Sequence, residues 1–235
     1  MSKRIKPAIG EIYHIYNRGV EKRDIFSNDQ DRLRFTQSLV IFNDQSPTFN
    51  NYRLPKNNTL FEVGLPTERE KMVEIMAFAL MPNHYHLMVR GITENGVTEF
   101  MRKLGTGYTN YFNTKYERVG PLFQGRFKAA LVKNERHFLY LPYYIHLNPL
   151  DLIDKKWRTQ DISGIIKIKK FLESYKWSSH LDYAEEQNFP EIIDKEFLSA
   201  IFESPAQYKK DLLNWVSENN LEEIADIALE PTLEA

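Results

Sequence analysis

Apolar positions divide the first 150 residues into short elements with alternating β and helical periods. Glu11-Ile12-Tyr13-His14-Ile15-Tyr16-Asn17 alternates and is rich in β-forming residues, which predicts a first strand. After a charged turn over residues 18–23, Ser27 or Asn28 can cap a helix reaching about Phe42, with Leu33, Leu39, Val40 and Phe42 near one side. Residues 43–71 carry Asn, Pro and short polar clusters and read as a long loop or insertion, uncommon in a compact domain unless functional or mobile. Val73 to Leu80 predicts a second strand, Met81-Pro82-Asn83 a turn, and His84 to Arg90 a third strand returning as a hairpin. Asn95 or Thr98 starts a helix to about Thr114, with a bend expected at Gly105 and Gly107. Phe127 to Val132 is a fourth strand. Asn134 then caps a helix that ends near Asn148, because Pro149 disfavours helical geometry at the residue before it. Pro142 implies that this helix starts or kinks there.

The order β-α-β-β-α-β-α predicts an α+β fold: one antiparallel sheet with helices packed on one face. Beyond Asp151 the pattern changes. Ile162 to Ile168 reads as β-like or irregular and Trp177-Ser178-Ser179 as a turn. Lys195–Phe202 and Gln207–Asn219 look like short helices, the second amphipathic through Tyr208, Leu212, Leu213 and Trp215-Val216. Glu230 to Ala235 is expected to fray.

Composition narrows the function classes. Of 235 residues, 42% are hydrophobic and 13% aromatic, enough for a sizeable core. The absence of cysteine excludes disulfides, zinc ribbons and thiol catalysis, and suits a reducing compartment. No apolar stretch follows the charges of Met1–Pro7, so no signal peptide is expected. No run approaches the roughly 18 apolar residues of a membrane span, so a cytoplasmic protein is expected. Net charge is −1 but lopsided: residues 1–150 carry +7 and residues 151–235 carry −8. A basic front with an acidic tail suits a nucleic-acid-binding domain followed by a part that does not touch phosphate.

The candidate chemistry lies in two stretches. His84 and His86 sit one residue apart in a strand and so point the same way, opposite to Tyr85, Leu87 and Val89. Paired neutral imidazoles on a stiff scaffold can hold a metal ion. A lone His-x-His is more often a strand-end cap beside a satisfied half-buried residue. Downstream, Tyr140, Tyr144 and Asn148 recur at i, i+4, i+8 and share a helix face. A tyrosine and an amide oxygen there could both reach a metal held by two histidines. An aromatic helix face packed into the core explains the spacing equally simply, and from spacing alone is the favoured account.

Taken in order, the motifs resemble a known family. His84-Tyr85-His86 after Leu80-Met81-Pro82-Asn83 is similar to the HUH motif, and Tyr144-Ile145-His146-Leu147-Asn148-Pro149 to the tyrosine-helix motif of single-tyrosine HUH transposases. The branch is that of REP-associated tyrosine transposases and IS200-like insertion-sequence relatives. Further matches are Tyr16-Asn17-Arg18-Gly19 with Ile25-Phe26, Tyr108-Thr109-Asn110-Tyr111-Phe112-Asn113, residues 120–127 and Trp177-Ser178-Ser179; together they span roughly residues 10–183. The resemblance implies a ferredoxin-like or RRM-like HUH fold. It places the catalytic domain at residues 1–183, with its insertion at about 43–71, and an acidic helical extension at 184–235.

The resemblance further implies DNA strand transfer. Tyr144 matches the nucleophile, giving a 5′-phosphotyrosine and a free 3′-hydroxyl. His84, His86 and Asn148 match the ligands of a divalent ion, Mg²⁺ or Mn²⁺, which suits two imidazoles and an amide oxygen better than a closed zinc site does. Tyr143 stands where the family more often has a basic residue; its spacing to Asn148 is i+5 against i+4 for Tyr144, which favours Tyr144. Tyr108 and Tyr111 are expected to pack or to stack on DNA, and His14 and His146 to be structural. Arg18, Arg23, Arg126 and Lys128 are the expected DNA contacts. The partner would be single-stranded or hairpin DNA near the nucleoid, engaged by a monomer or homodimer. The alternative is a domesticated relative that binds structured DNA without cutting it. A histidine-triad hydrolase would need a further alternating histidine, where this chain has Met88.

Overall fold

Seven helices and a four-stranded sheet make up the computed structural model, which describes residues 7–46, 69–154, 157 and 164–218. Most of the expected insertion 43–71 and the expected frayed end lie outside the described residues, as do Ile162 and Ser163. The strands are β1 (Ile12–Arg18), β2 (Val73–Met81), β3 (His84–Gly91) and β4 (Lys128–Leu131). All pair antiparallel in the order β2-β3-β1-β4. This is the antiparallel sheet with packed helices that the element order predicted. The hairpin β2–β3 pairs Met81 with His84, and β1 pairs Tyr16 with His86 and Arg18 with His84.

Alternation along β3 decides what each face holds. Tyr85, Leu87 and Val89 point to one face, where α1 (Asp29–Ile41) and α2 (Gly96–Lys115) pack. Phe35 of α1 lies 4.9 Å from the Tyr85 ring and 5.0 Å from Tyr108 of α2. The opposite face carries His14, His84 and His86, and it too is covered, by α3 (Glu135–Leu147). Helices therefore pack on both faces rather than the one expected. The physical reason is that β2 and β3 are buried on both sides, so neither face could be left to solvent.

Local chemistry explains the element ends. The Asn28 side chain accepts the Asp31 N–H and caps α1; Asn134 accepts the His137 N–H at 2.8 Å and caps α3. Capped there, α3 starts well before Pro142 and passes through it. Helix α2 runs unbroken across both glycines, so no interruption marks the expected bend. Gly107 instead permits close approach: a Cβ there would land in the Phe42 ring, whereas Gly105 faces open space.

Past Asp151 one expectation changes. Ile165–Ser174 is helix α4, not β-like, because Ile168 and Leu172 bury an i, i+4 pair. The turn at Trp177-Ser178-Ser179 lies along β2: Leu80 N–H donates to Trp177 O at 2.9 Å and Ser179 N–H to Phe78 O at 3.0 Å. Helices α5 (His180–Tyr183), α6 (Glu196–Ile201) and α7 (Pro205–Glu218) follow, and Leu198, Phe202, Tyr208, Leu212 and Trp215 join the main apolar cluster.

Candidate active site

The β3 histidines form an oriented pair. Their rings are 5.1 Å apart and nearly perpendicular. His84 Nδ1 lies 2.6 Å from Asn83 Oδ1, and the Asn83 amide nitrogen donates to Lys22 O at 3.1 Å. With that amide oriented, Oδ1 can only accept, so His84 carries its proton on Nδ1 and presents Nε2 as a lone-pair donor. His86 Nδ1 is 2.8 Å from His14 Nε2 on β1. With the shared proton on His86 Nδ1, His86 Nε2 is in the same state as His84 Nε2; with it on His14 Nε2, it is not. Both imidazoles are held at Nδ1 by an outer partner, as metal-binding imidazoles are.

Helix α3 brings the tyrosine to this pair. The Tyr144 ring sits edge-on to His86 at 5.7 Å and to His14 at 5.9 Å, and it is 1% exposed. Tyr143 points elsewhere: it stacks on Tyr208 at 5.9 Å and meets Phe202 at 5.4 Å. Burial, with Asp211 and Tyr140 nearby, pushes the Tyr143 phenol well above its ordinary pKa. Of the two adjacent phenols, then, Tyr144 is the one brought to the histidines. Asn148 caps α3 and is fully buried; its backbone N–H and its side-chain Nδ2 (2.9 Å) both donate to Tyr144 O. With the amide nitrogen so committed, the amide oxygen is the remaining ligand-type atom. By residue type alone, two imidazole nitrogens and one amide oxygen would suit a hard divalent ion with coordination positions to spare. Among the described residues no group of three or more His, Asp or Glu gathers as a self-sufficient metal site.

The basic candidates occupy one end of the sheet. Arg18 lies across the β1–β3 pair from His84, and its carbonyl accepts the Gln124 N–H at 2.9 Å, two residues before Arg126. Gly19 N–H donates to Asn83 O at 2.8 Å, and Asn17 Nδ2 to Gly125 O at 3.1 Å. The Tyr16-Asn17-Arg18-Gly19 and 120–127 motifs are thus stitched together beside the histidines. Arg23 follows on the same turn, half-buried, while Arg126 and Lys128 are exposed. Lys128 pairs across β1–β4 with Tyr16, its ammonium 5.7 Å from that ring.

Three neighbours were not read as functional from the sequence: Asn83, His14 and Tyr16. Alternation places His14 and Tyr16 on one face, but only the β1–β3 register sets Tyr16 opposite His86. Tyr108 and Tyr111 belong to the far face. Tyr108 OH donates to Ile25 O at 2.5 Å, and Tyr111 OH to Asp31 at 2.9 Å. His146 faces away from the pair, into α5 and α7. Burial, with His180 nearby, holds its pKa well below the usual histidine value. Among the described residues no helix is long and apolar enough to cross a membrane.

Comparison with known proteins adds two findings, and no curated protein matches the chain. A solved structure described as "Structure of the REP associates tyrosine transposase bound to a REP hairpin" is similar at 16% identity. The match covers 79% of this chain and 87% of that one, with a TM-score of 0.48. The family model described as "Transposase IS200 like" matches residues 49–148, a span that includes His84, His86, Tyr144 and Asn148. The family resemblance carried by the motifs is thus met by the model of the IS200-like transposases over residues 49–148.

Proposed function

We propose that this chain is a metal-dependent DNA transposase that cuts and rejoins single-stranded DNA through Tyr144. The observation that carries the reading is the Tyr144 ring set against His86 and His14, with Asn148 one helical turn on. In this reading the Tyr144 hydroxyl attacks a phosphodiester phosphorus. The phosphorus–O3′ bond breaks, a 5′-phosphotyrosine forms, and the 3′-oxygen leaves as a free hydroxyl, taking one proton from solvent as the phenol releases one to it. Attack by another 3′-hydroxyl reverses the step and rejoins strands. His84, His86 and Asn148 would hold the divalent ion, Mg²⁺ or Mn²⁺, which when bound supplies Lewis-acid polarisation of the scissile phosphate. Asn83 and His14 hold the two imidazoles at Nδ1, and α3 fixes where the phenol stands. Arg18, Arg23, Arg126 and Lys128 neutralise the strand near the histidines. Residues 1–183 would form the catalytic unit and 184–235 the extension.

The test is incubation with labelled single-stranded oligonucleotides carrying hairpins from the DNA flanking the gene, in Mg²⁺ or Mn²⁺. A covalent adduct resistant to denaturation is expected, together with a free 3′-hydroxyl product. Hairpin binding without adduct in either metal would replace this reading with that of a non-cutting DNA binder.

A further inference from the structure

On the far side of α3 lies a buried polar chain that the proposed chemistry does not use. Tyr208 of α7 has its hydroxyl 2.8 Å from His146 Nδ1 and 2.8 Å from His180 Nδ1. His146 Nε2 is 2.8 Å from Ser179 Oγ, which accepts the Phe78 N–H of β2 at 2.9 Å. Tyr208, His146 and Ser179 are fully buried and His180 is 4% exposed. The chain needs one proton per link and can run in either direction with every member neutral. Burial favours that state: it pushes the Tyr208 phenol well up and lowers His180 to about 4. His146 and Tyr144 are two residues apart on α3, so they point to opposite sides of the helix. Turning or sliding α3 would part His146 from both of its partners and leave buried nitrogens unpaired. Tyr143 adds a second grip, its ring stacked on Tyr208 with 14° between planes.

We propose that Tyr208 is a positioning residue for strand transfer: through His146 it holds α3 in the rotation that sets the Tyr144 phenol against the histidine pair. The C-terminal helix α7 is thereby a strap on the nucleophile helix within one chain. The Trp177-Ser178-Ser179 motif acquires a role as well, since it carries the serine that ties His146 to β2. This inference rests on the reading of Tyr144 as nucleophile.

Single-turnover adduct formation on hairpin-bearing single-stranded DNA in Mn²⁺ tests it. Tyr208→Phe keeps the ring and removes the hydroxyl. Its first-order rate constant should fall about tenfold, as a displaced reacting group implies. The fraction of enzyme that reacts and the Kd for DNA should stay within about twofold. His180→Asn, which retains a polar atom near the Nδ1 position, should stay close to wild type. Amide hydrogen exchange around Tyr144 should speed up in Tyr208→Phe, a readout independent of activity. Should Tyr208→Phe fail to fold, His180→Leu releases Tyr208 from α5 and should give the same changes at smaller size. An unchanged rate constant with unchanged exchange overturns the proposal. So does a lower reacting fraction at an unchanged rate constant, which marks a purely structural role. An adduct persisting in Tyr144→Phe would instead overturn the nucleophile reading, and the exchange result would still report on the strap.

Discussion

The two faces of β3 are buried to the same degree and by neighbouring residues, yet they do opposite things. Tyr85, Leu87 and Val89 meet Phe35, Phe100 and Tyr108 in a face held by dispersion and area. His84 and His86 alternate with them in the chain; His86 meets His14, Tyr16 and Tyr144, and His84 meets His86. The first face needs only volume to be matched. The second holds its imidazoles by hydrogen bonds, His84 Nδ1 to Asn83 and His86 Nδ1 to His14, because a buried polar group without a partner is destabilising. The same requirement that makes such a face tolerable in a core also fixes which nitrogens are presented. The contrast teaches that degree of burial does not separate scaffold from site here; hydrogen-bond direction does.

The sharpest break of that symmetry is Tyr144→Phe. It removes one oxygen from the polar face, should leave the thermal midpoint within a few degrees, and should lower adduct formation by at least about a thousandfold. Gel analysis of denatured adducts checks this, and a persistent adduct would move the nucleophile elsewhere. On the opposite face, Tyr85→Ala should destabilise the fold by about 3–5 kcal/mol, read by urea unfolding, because a large buried ring leaves a cavity. A loss below about 1 kcal/mol would mean this face collapses around the hole, and the contrast with the histidine face would weaken.

Smaller effects sharpen the comparison. Gly107→Ala should destabilise by about 1–3 kcal/mol through overpacking against Phe42. Gly105→Ala, facing open space two residues away, should be neutral or stabilising by up to about 1 kcal/mol. Asn83→Ala should weaken Mn²⁺ binding about tenfold by calorimetry, since it removes the acceptor that fixes the His84 tautomer, with little change in unfolding midpoint.

The smallest expected effect is in pH. Burial opposes the charge on Asp31, but hydrogen bonds from Lys115, Tyr116, Tyr111 and the Ser27 N–H outweigh it and lower its pKa. The unfolded carboxyl therefore takes up a proton first. Stability from this group is fully present above roughly pH 4 and is lost as pH falls from there through the lower folded value. Asp31→Asn should flatten the acid limb of a denaturation series; an unaltered limb would remove Asp31 from the account.

Much of this was legible along the chain, residue by residue. Strict alternation put His84 and His86 together and opposite Tyr85, since a strand has a period of two. Helical spacing put Tyr144 and Asn148 on one face, and Asn28 and Asn134 announced their helices by cap chemistry. Where local pattern misled, packing was the reason. Ile162 to Ile168 reads as β-like or irregular, but the Ile168–Leu172 pair has a core to face as a helix; Gly107 reads as a bend, but Phe42 fills the space beside it.

What the sequence by itself determined was the order of elements, which side chains share a face, and the residue types able to hold a metal and attack a phosphate. Only the tertiary structure decided which of two adjacent phenols meets the histidines, that His14 and Asn83 orient the two imidazoles, and that His146 ends in a buried chain with Tyr208 and Ser179. The physical reason is range. Backbone periodicity acts over a few residues, whereas the His14–His86, His146–Ser179 and His146–Tyr208 contacts join positions 33 to 72 residues apart, and no local period encodes which distant partner a side chain will meet.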